Sequence, residues 1–534
     1  MDRVVNFTIL SDHDLTSQAR AGSSQAFNEL VLRYRDKAIV WAERITSDVH
    51  HAEDIVQESF IKAFLQLGSL EQLDRFAPWL QRIIRNQALM HVRRGGPFAK
   101  ERPFSAFMNE ELLPDENQNP VDAAIRQENS ELIHNLLQYL NSKEREVFEA
   151  YFIKQYSPQE IAAIYALSSA NVYTILSRSK VKIQQLLFQS KLTQYLYERT
   201  KLNDFEGSKV LNEKAIYFGE VWDTYALSVL HAIQYEDNNC YSMAAIMGFT
   251  GQAFRLQLHH KRFDWLGPAA FDWRNIFQRG LHNLGFLARS IGEGQTIVQT
   301  NEVLIEAFSF VHKAIDQGRP VILWGIQQPF FGMIHGYDDG ARKFRIRGLF
   351  ENTTISYEQL GREWSADLFA ICLGKPCAIE PIDALRGALQ LIIEHAEGCE
   401  RKTKPEYVQG IAAYETWIAT IQYNKKDEFA HAYNIWTTGS ARSFAVQFLN
   451  EIAEQADRYG EKGAEIAVHA IEAAKYYSLI AAAFAELRIF FPFPSGGDPT
   501  SPESIKAGIE LLQAAMDNEI RGIKILKDML QLLN

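Results

Sequence analysis

Cysteine is scarce: four residues, Cys240, Cys372, Cys377 and Cys399, in a chain of 534. They show no metal-ligand spacing and are too scattered for a dense disulfide framework. That pattern fits a reduced, cytoplasmic protein and calls for no metal or other cofactor. Long apolar runs are also missing. The most apolar helical stretch, Tyr476 to Ala485, is bounded by Lys475 and Glu486, about half the ~20 residues that span a bilayer. The opening residues, MDRVVNFTILSDHD, lack the basic-then-apolar profile of a secretory leader. Positive charge is in deficit, with a formal net charge of −11. This excludes a protein that coats nucleic acid indiscriminately, so any such contact has to come from local basic patches. No repeat is regular enough to make a solenoid.

What is present is ample apolar content, 47% of residues, enough to confine disorder to linkers. The length predicts three or four domains. From Asp12 to Arg94 the sequence reads as almost continuous amphipathic helix. Ala26, Phe27, Leu30, Val31 and Tyr34 recur at helical spacing, as do Ala52, Ile55, Val56, Phe60, Ala63 and Phe64. Phe76 to Val92 alternates a core set (Phe76, Leu80, Ile83, Ile84, Ala88) with a polar set (Arg75, Arg82, Arg85, Asn86). Gly95 to Pro120, rich in Pro, Asn and acidic residues, carries no sustained period and reads as a linker.

The stretch from Asn141 to Ser190 has a different character. Lys143 to Ile153 places Val147, Tyr151 and Phe152 on one helical face. Ser157-Pro158-Gln159-Glu160 reads as a capping box before Ile161, Ala162 and Ile164. A short turn, Ala166-Leu167-Ser168, leads into a second capped helix from Ser169 to about Phe188. Two helices joined by a tight turn, the second with polar and basic side chains near its start, form a helix-turn-helix pattern. An ordinary helical hairpin is the alternative on this stretch alone.

The wording upstream and here carries a resemblance. ARAGSSQAFNELVLRY, AEDIVQESFIKAF and RFAPWLQRIIRNQALMHVRR resemble region 2 of the extracytoplasmic-function (ECF) sigma factors of RNA polymerase. KEREVFEAYFIKQYSPQEIAAIYALSSANVYTILSRSKVKI resembles their region 4. The motifs cover about the first third of the chain, in family order. The resemblance implies that Asp54, Gln57 and Glu58 dock on RNA polymerase core. It implies that Arg75, Trp79, Arg82, Arg85, Asn86 and Arg93 receive the melted promoter strand. It also implies that Ser169, Asn171, Tyr173 and Thr174 face promoter DNA, with Arg178, Lys180 and Lys182 on phosphates. Tyr173 and Ile175 stand where the family usually has basic residues, and Met90 where an acidic one is common. For each basic residue the alternative is a solvated helix edge.

Over three hundred residues follow this front third. Tyr225 to Gln234 reads as a helix broken by EDNN, and Cys240 as the opening of another, CYSMAAIMGFTG. RPVILWGI, FFGMIHGY, KFRIRGL and LFAICLG read as short strands, with a hairpin turn at Asp339-Gly340. A cysteine at a helix N-terminus followed by an antiparallel sheet is the layout of papain-like folds, and the dipole there favours a thiolate. Gln234 sits six residues ahead of Cys240, the offset of that superfamily's oxyanion-hole glutamine. QGRPVILWG and GYDD resemble bacteriocin-processing cysteine peptidases and butirosin-type acyltransferase N-terminal domains. Their general-base histidine falls at Phe330 here, and His335 lies an odd number of residues away. In a strand that offset points to the opposite face unless a bulge intervenes. Cys240, Gln234, His335 and Asp338 are therefore the candidates should this part be active. The expectation is an inactive papain-like domain reused for sensing. Cys240 as a small core residue and Asp338 as a turn residue are the simpler readings.

From Ile379 onward, Asp383–Glu397, Pro405–Tyr423, Glu428–Arg458, Ala464–Arg488 and Ser504–Leu532 carry helical period. Tyr414, Trp417, Tyr433, Trp436, Tyr476 and Tyr477 are either a ligand-pocket lining or, more commonly for such residues, core. The expected architecture is multidomain and mainly α. It comprises a region 2 bundle (1–96), a linker (97–120) and a region 4 helix-turn-helix domain (121–200). A papain-like α/β domain with an antiparallel sheet (201–378) and a helical bundle (379–534) complete it. The expected function is that of a cytoplasmic sigma factor bringing RNA polymerase core to promoter DNA. Its extension acts in cis and responds to a small molecule or peptide held between the last two domains. The alternatives are an active cysteine peptidase or acyltransferase fused to a DNA-binding module, and a DNA-binding regulator that no longer initiates transcription.

Overall fold

The computed structural model describes residues 10–20, 24–46, 52, 55–56, 59–60, 63, 67, 70, 73–94, 136–152, 154, 156, 158–202, 205–212, 223–236, 241–292, 301–325, 330–348, 352–360, 368–401, 404–423 and 427–533. The chain divides into two compact units, Met1–Lys201 with Val298–Ile305, and Leu202–Ile297 with Glu306–Asn534.

In the first unit, helices α1 (Asp12–Arg20), α2 (Ser24–Thr46) and α3 (Phe76–Arg94) are built on the apolar spacing read from the sequence. Leu15, Phe27, Leu30, Phe76, Leu80 and Ile84 share one buried cluster with Ile55, Val56, Phe60 and Ala63. Asp12 ties α1 to α2 by accepting from Arg33 Nη1 at 2.9 Å and from the Tyr34 hydroxyl. Further along are α4 (Ser142–Phe152), α5 (Pro158–Ile164) and α6 (Ser169–Arg199). A capping box opens α4: Asn141 Oδ1 accepts from Glu144 N, and Glu144 Oε2 accepts from Asn141 N. Ser157, expected to cap α5, lies outside the described residues. The helix expected to stop near Phe188 continues to Arg199. Leu187, Phe188 and Leu192 are all buried along it, so the apolar face that packs its first half simply extends.

The second unit is an antiparallel sheet flanked by helices. Its strands are β1 (Ser208–Val210), β3 (Phe286–Ile291), β4 (Val321–Trp324), β5 (Phe331–Asp338), β6 (Lys343–Arg347), β7 (Asn352–Ser356) and β8 (Ala370–Pro376). They run in the order β3-β8-β4-β5-β6-β7, with β1 paired to β5. β4 takes Phe331 to Ile334 of β5, and β1 takes Gly336 to Asp338 on the length left over. The four strands expected from sequence are β4, β5, β6 and β8. β1, β3 and β7 add to them. Helix α7 (Thr224–Ile233) packs on β4 and β5, held by Phe331 N donating to Thr224 Oγ1 at 3.0 Å. Helices α8 (Met243–Phe249) and α9 (Trp273–Asn283) complete that side. On α10 (Asn301–Asp316), Phe308 and His312 contact Phe344, Tyr337 and Tyr357.

The remaining helices are α11 (Pro381–Ala396), α12 (Ile411–Tyr423), α13 (Glu428–Glu454), α14 (Gly463–Phe490) and α15 (Pro502–Leu533). Pro405 to Gln409 is not helical as expected. Tyr407–Gln409 forms β9 and pairs with β2 (Gln257–His259), and Gly410 follows at φ +66°. A Cβ on Gly410 would come within 2.3 Å of the His395 and Ala396 carbonyl oxygens, so the turn requires glycine. One buried cluster runs through this unit from Tyr225 and Phe277 to Trp417, Phe448, Tyr477 and Leu533. The sequence-based boundary at 378 falls inside it.

Candidate nucleic-acid interface

The helix-turn-helix is fixed by its turn. Leu167 N donates to Ala162 O at 2.9 Å, and Ala166 takes a left-handed φ of +52° to reverse the chain. Ser168 then caps α6, its hydroxyl accepting from Asn171 N at 3.2 Å. Val172, Leu176 and Ile183 point into the domain, where Val172 and Leu176 meet Val147, Ala150 and Ile161. That register leaves Asn171, Thr174 and Arg178 exposed and Ser169 and Tyr173 half-buried. Of the seven residues expected on this helix, Asn171, Thr174 and Arg178 therefore share its outward side, while Ser169 and Tyr173 sit at its edge with the Tyr173 hydroxyl buried. Thr174 Oγ1 also donates to Ala170 O at 3.0 Å. The side chain of Lys180 lies outside the described residues. Lys182 is engaged within the domain, 3.5 Å from Glu144 Oε2, which makes it a weaker phosphate ligand than the sequence implies.

On the first bundle, Arg75, Arg82 and Arg85 are exposed and Trp79 is half-buried, its ring 6.1 Å from Phe76. Arg75 and Arg82 stand four and three residues to either side of the half-buried Trp79, with Arg85 three residues further on. Such an arrangement supplies one stacking surface and adjacent phosphate contacts to a single strand. The side chains of Asn86 and Arg93 lie outside the described residues, as do Asp54, Gln57 and Glu58. The apolar residues beside those three are described: Ala52, Ile55, Val56 and Phe60 are at most 6% exposed.

The candidate acyl-transfer residues belong to the second unit. Cys240 lies outside the described residues. The helix expected to open on it begins instead at Met243, capped by Ser242, which accepts from Ala245 N and donates to Glu451. Gln234 caps the end of α7, half-buried. Asp338 Oδ1 accepts from Ala341 N at 2.8 Å, the work of a turn residue. His335 is buried, its carbonyl accepting from Leu211 N, and the pairing of β5 with β6 slips between Ile334 and Gly336. The bulge that the odd offset required is present at His335. No hydrogen bond among the described residues joins Gln234, His335 and Asp338.

Sequence reasoning missed a buried polar group nearby. His312 Nε2 lies 3.0 Å from Asp339 Oδ1 and 3.2 Å from the Tyr357 hydroxyl, which donates to the same carboxylate at 2.7 Å. With Phe308 O at 2.8 Å from its other nitrogen, His312 is held at both ends under the sheet. Among the expected pocket aromatics, Tyr414, Trp417 and Tyr477 are fully buried core. Trp436 stacks under Arg488 at 4.2 Å, and Tyr433 lines a cavity. No group of three or more potential metal ligands occurs among the described residues. No helix among them is long and apolar enough to cross a membrane.

The fold defines a class, a helical bundle and a helix-turn-helix domain that precede an α/β unit in the chain. Comparison narrows it. Residues 30–97 match the family model for Sigma-70 region 2, and residues 130–183 that for Sigma-70, region 4. The probable RNA polymerase sigma factor RfaY of Xanthomonas campestris pv. campestris is 30% identical over 179 residues, 33% of this chain. The chain spans 44% of that relative's length. The ECF RNA polymerase sigma factor SigW of Bacillus subtilis is 28% identical over 32% of this chain and 93% of its own. The RNA polymerase sigma-H factor of Pseudomonas aeruginosa is 28% identical over 33% and 93%. A solved structure of CnrH in complex with the cytosolic domain of CnrY is 26% identical over 33% of this chain, with a TM-score of 0.15. Its front third is thus similar to the ECF sigma factors, with the region 2 and region 4 matches in family order.

Proposed function

We propose that the chain is a cytoplasmic sigma factor that recruits RNA polymerase core and opens promoters, and that Leu202–Asn534 regulates this act in cis. The observation carrying the first half is the outward register of Asn171, Thr174 and Arg178 on a capped helix. It occurs in the same chain as exposed Arg75, Arg82 and Arg85 beside Trp79. One set suits duplex promoter DNA and the other a melted strand. Asp54, Gln57 and Glu58 take the polymerase contact in this reading. The second half rests on a helical lead-in followed by an antiparallel sheet, with a cavity walled partly by the C-terminal helix α13. A bound small molecule shifts the population of states that engage polymerase. Transcription from a promoter library with purified core enzyme tests the first half. Absence of any initiation by the full chain, with and without candidate ligands, together with no binding to core, would sink it.

The bulge at His335 favours a second reading. By breaking the alternation of β5 it permits His335 to serve Cys240 as a base, making the extension a cysteine peptidase or acyltransferase. Cys240→Ala separates the two. Loss of promoter output or of self-processing selects the enzyme, and unchanged output selects the sensor.

A further inference from the structure

A cavity of ≈ 100 Å³ lies among the start of α7, the Gln252–Gln257 segment, the ends of β4 and β5, and α13. A single water needs about 10–15 Å³, and an apolar cavity of about 150 Å³ accepts benzene. The space therefore suits a ring-sized molecule. Its walls include Trp265, Phe271, Trp324, Phe331 and Tyr433.

Two features of the lining are unexplained by packing. Tyr225 is 2% exposed and Gln252 6%, yet Tyr225 Oη and Gln252 Nε2 have no hydrogen-bond partner among the described residues. Buried polar atoms are normally paired, so these two point to a missing partner. The second feature is Asp223, which lines the same cavity and caps α7 by accepting from Ala226 N at 2.8 Å. Burial pushes its pKa up to about 6, against the backbone donors of Ala226 and Tyr225 and the cation of Arg255. Arg255 acts on it only at a distance, without an ion pair. That guanidinium is committed to Glu400, with contacts of 2.8 and 2.6 Å, and lies 4.0 Å over the Phe271 ring. The wall thus keeps one carboxylate without a paired cation amid aromatic faces, an environment that favours an organic cation.

We infer that this cavity binds a small protonated amine with a ring-sized body, its ammonium against Asp223 and a polar substituent on Tyr225 Oη and Gln252 Nε2. Its regulatory use rests on the sensor reading given above; the binding itself does not. The test uses the full chain and three probes of matched size: benzylamine, benzyl alcohol and benzoate. In calorimetric titration at neutral pH, benzylamine binds about tenfold or more tighter than benzyl alcohol, the worth of a charged hydrogen bond, and benzoate does not bind. Asp223→Asn, which keeps a capping side chain, brings benzylamine down to the level of benzyl alcohol. Benzoate binding as well as benzylamine, benzylamine unaffected by Asp223→Asn, or no binding of benzylamine to the wild-type chain at millimolar concentration would each overturn the assignment. Transcription is measured in parallel. Binding that leaves promoter output unchanged upholds the cavity and overturns its use as a sensor.

Discussion

The cavity's floor depends on a buried charge cluster, and removing Glu519 measures that dependence. Arg442 and Glu519 side chains are 1% and 4% exposed, with Nε and Oε2 2.8 Å apart. The Tyr414 and Tyr477 hydroxyls donate to the same carboxylate at 2.9 and 3.0 Å. Arg442 Nη1 donates to Ala253 O and Arg255 O, the backbone that carries Gln252 and Arg255 into the cavity. Glu519→Ala leaves a guanidinium without its counter-charge and two phenols without acceptors. Breaking a buried pair from one side costs about 3–5 kcal/mol, and each orphaned hydroxyl adds about 1–3 before relaxation. Rearrangement recovers part of this, so we expect a net loss of about 4–6 kcal/mol. Unfolding entropy of ~2.1 cal/mol/K per residue, over a unit of roughly 325 residues, converts that into a fall of about 6–9 °C in Tm. Differential scanning calorimetry reads it directly. Glu519→Gln, which retains one acceptor oxygen, should lose less than Glu519→Ala. A fall below 2 °C for the alanine variant would refute the claim that this cluster anchors the helical layer.

Four further outcomes follow from named contacts. Arg82→Ala with Arg85→Ala should weaken promoter opening and flatten its salt dependence by about 1.4 in log–log slope, from ~0.7 per single-strand phosphate contact; an unchanged slope in filter binding with holoenzyme removes both from the interface. Ala166→Gly should stabilise the helix-turn-helix by about 0.5–1 kcal/mol, because a left-handed alanine costs roughly 1–2 kcal/mol and glycine's added chain entropy cancels part of the gain; chemical denaturation of the full chain, followed in that unit, checks it. Asp223 binds its proton more tightly folded than unfolded, so its contribution to stability is full at low pH and is lost as pH rises from about 4 through about 6. With Arg255, Tyr225 and Tyr433 as its charged or titratable neighbours, Asp223→Asn should match wild type near pH 4 and exceed it in Tm at pH 7, whereas a constant difference across that range contradicts the assignment. Gly248→Ala should cost several degrees of Tm, since its Cβ would stand 2.1 Å from the Phe448 ring.

Much of the fold was legible because the signals were local. The α1–α3 core residues recur at helical spacing, and β4, β5, β6 and β8 are apolar enough to announce themselves. The misses share one cause, which is that the deciding partner is distant in sequence. Tyr407–Gln409 is a strand only because Gln257–His259 lies beside it. Lys182 loses its freedom to Glu144, 38 residues earlier.

Site chemistry was legible to a different depth in the two units. For a helix, register follows from the cap and the apolar stripe, so inward Val172 and Leu176 leave Asn171, Thr174 and Arg178 outward, three of the residues that the family resemblance implies. For β5 it could not. A strand's faces alternate with a period of two, and one inserted residue inverts every assignment beyond it. Ile334 pairs with Ile346 and Tyr337 with Phe344, so a three-residue step on β5 answers a two-residue step on β6. Any rule that places a catalytic histidine by counting along this strand therefore fails at residue 335. The same limit hides Asp223, whose sequence context announces a helix cap and nothing more. Its role emerges only when Arg255 is found occupied by Glu400, a pairing across 145 residues that leaves the cavity one negative charge.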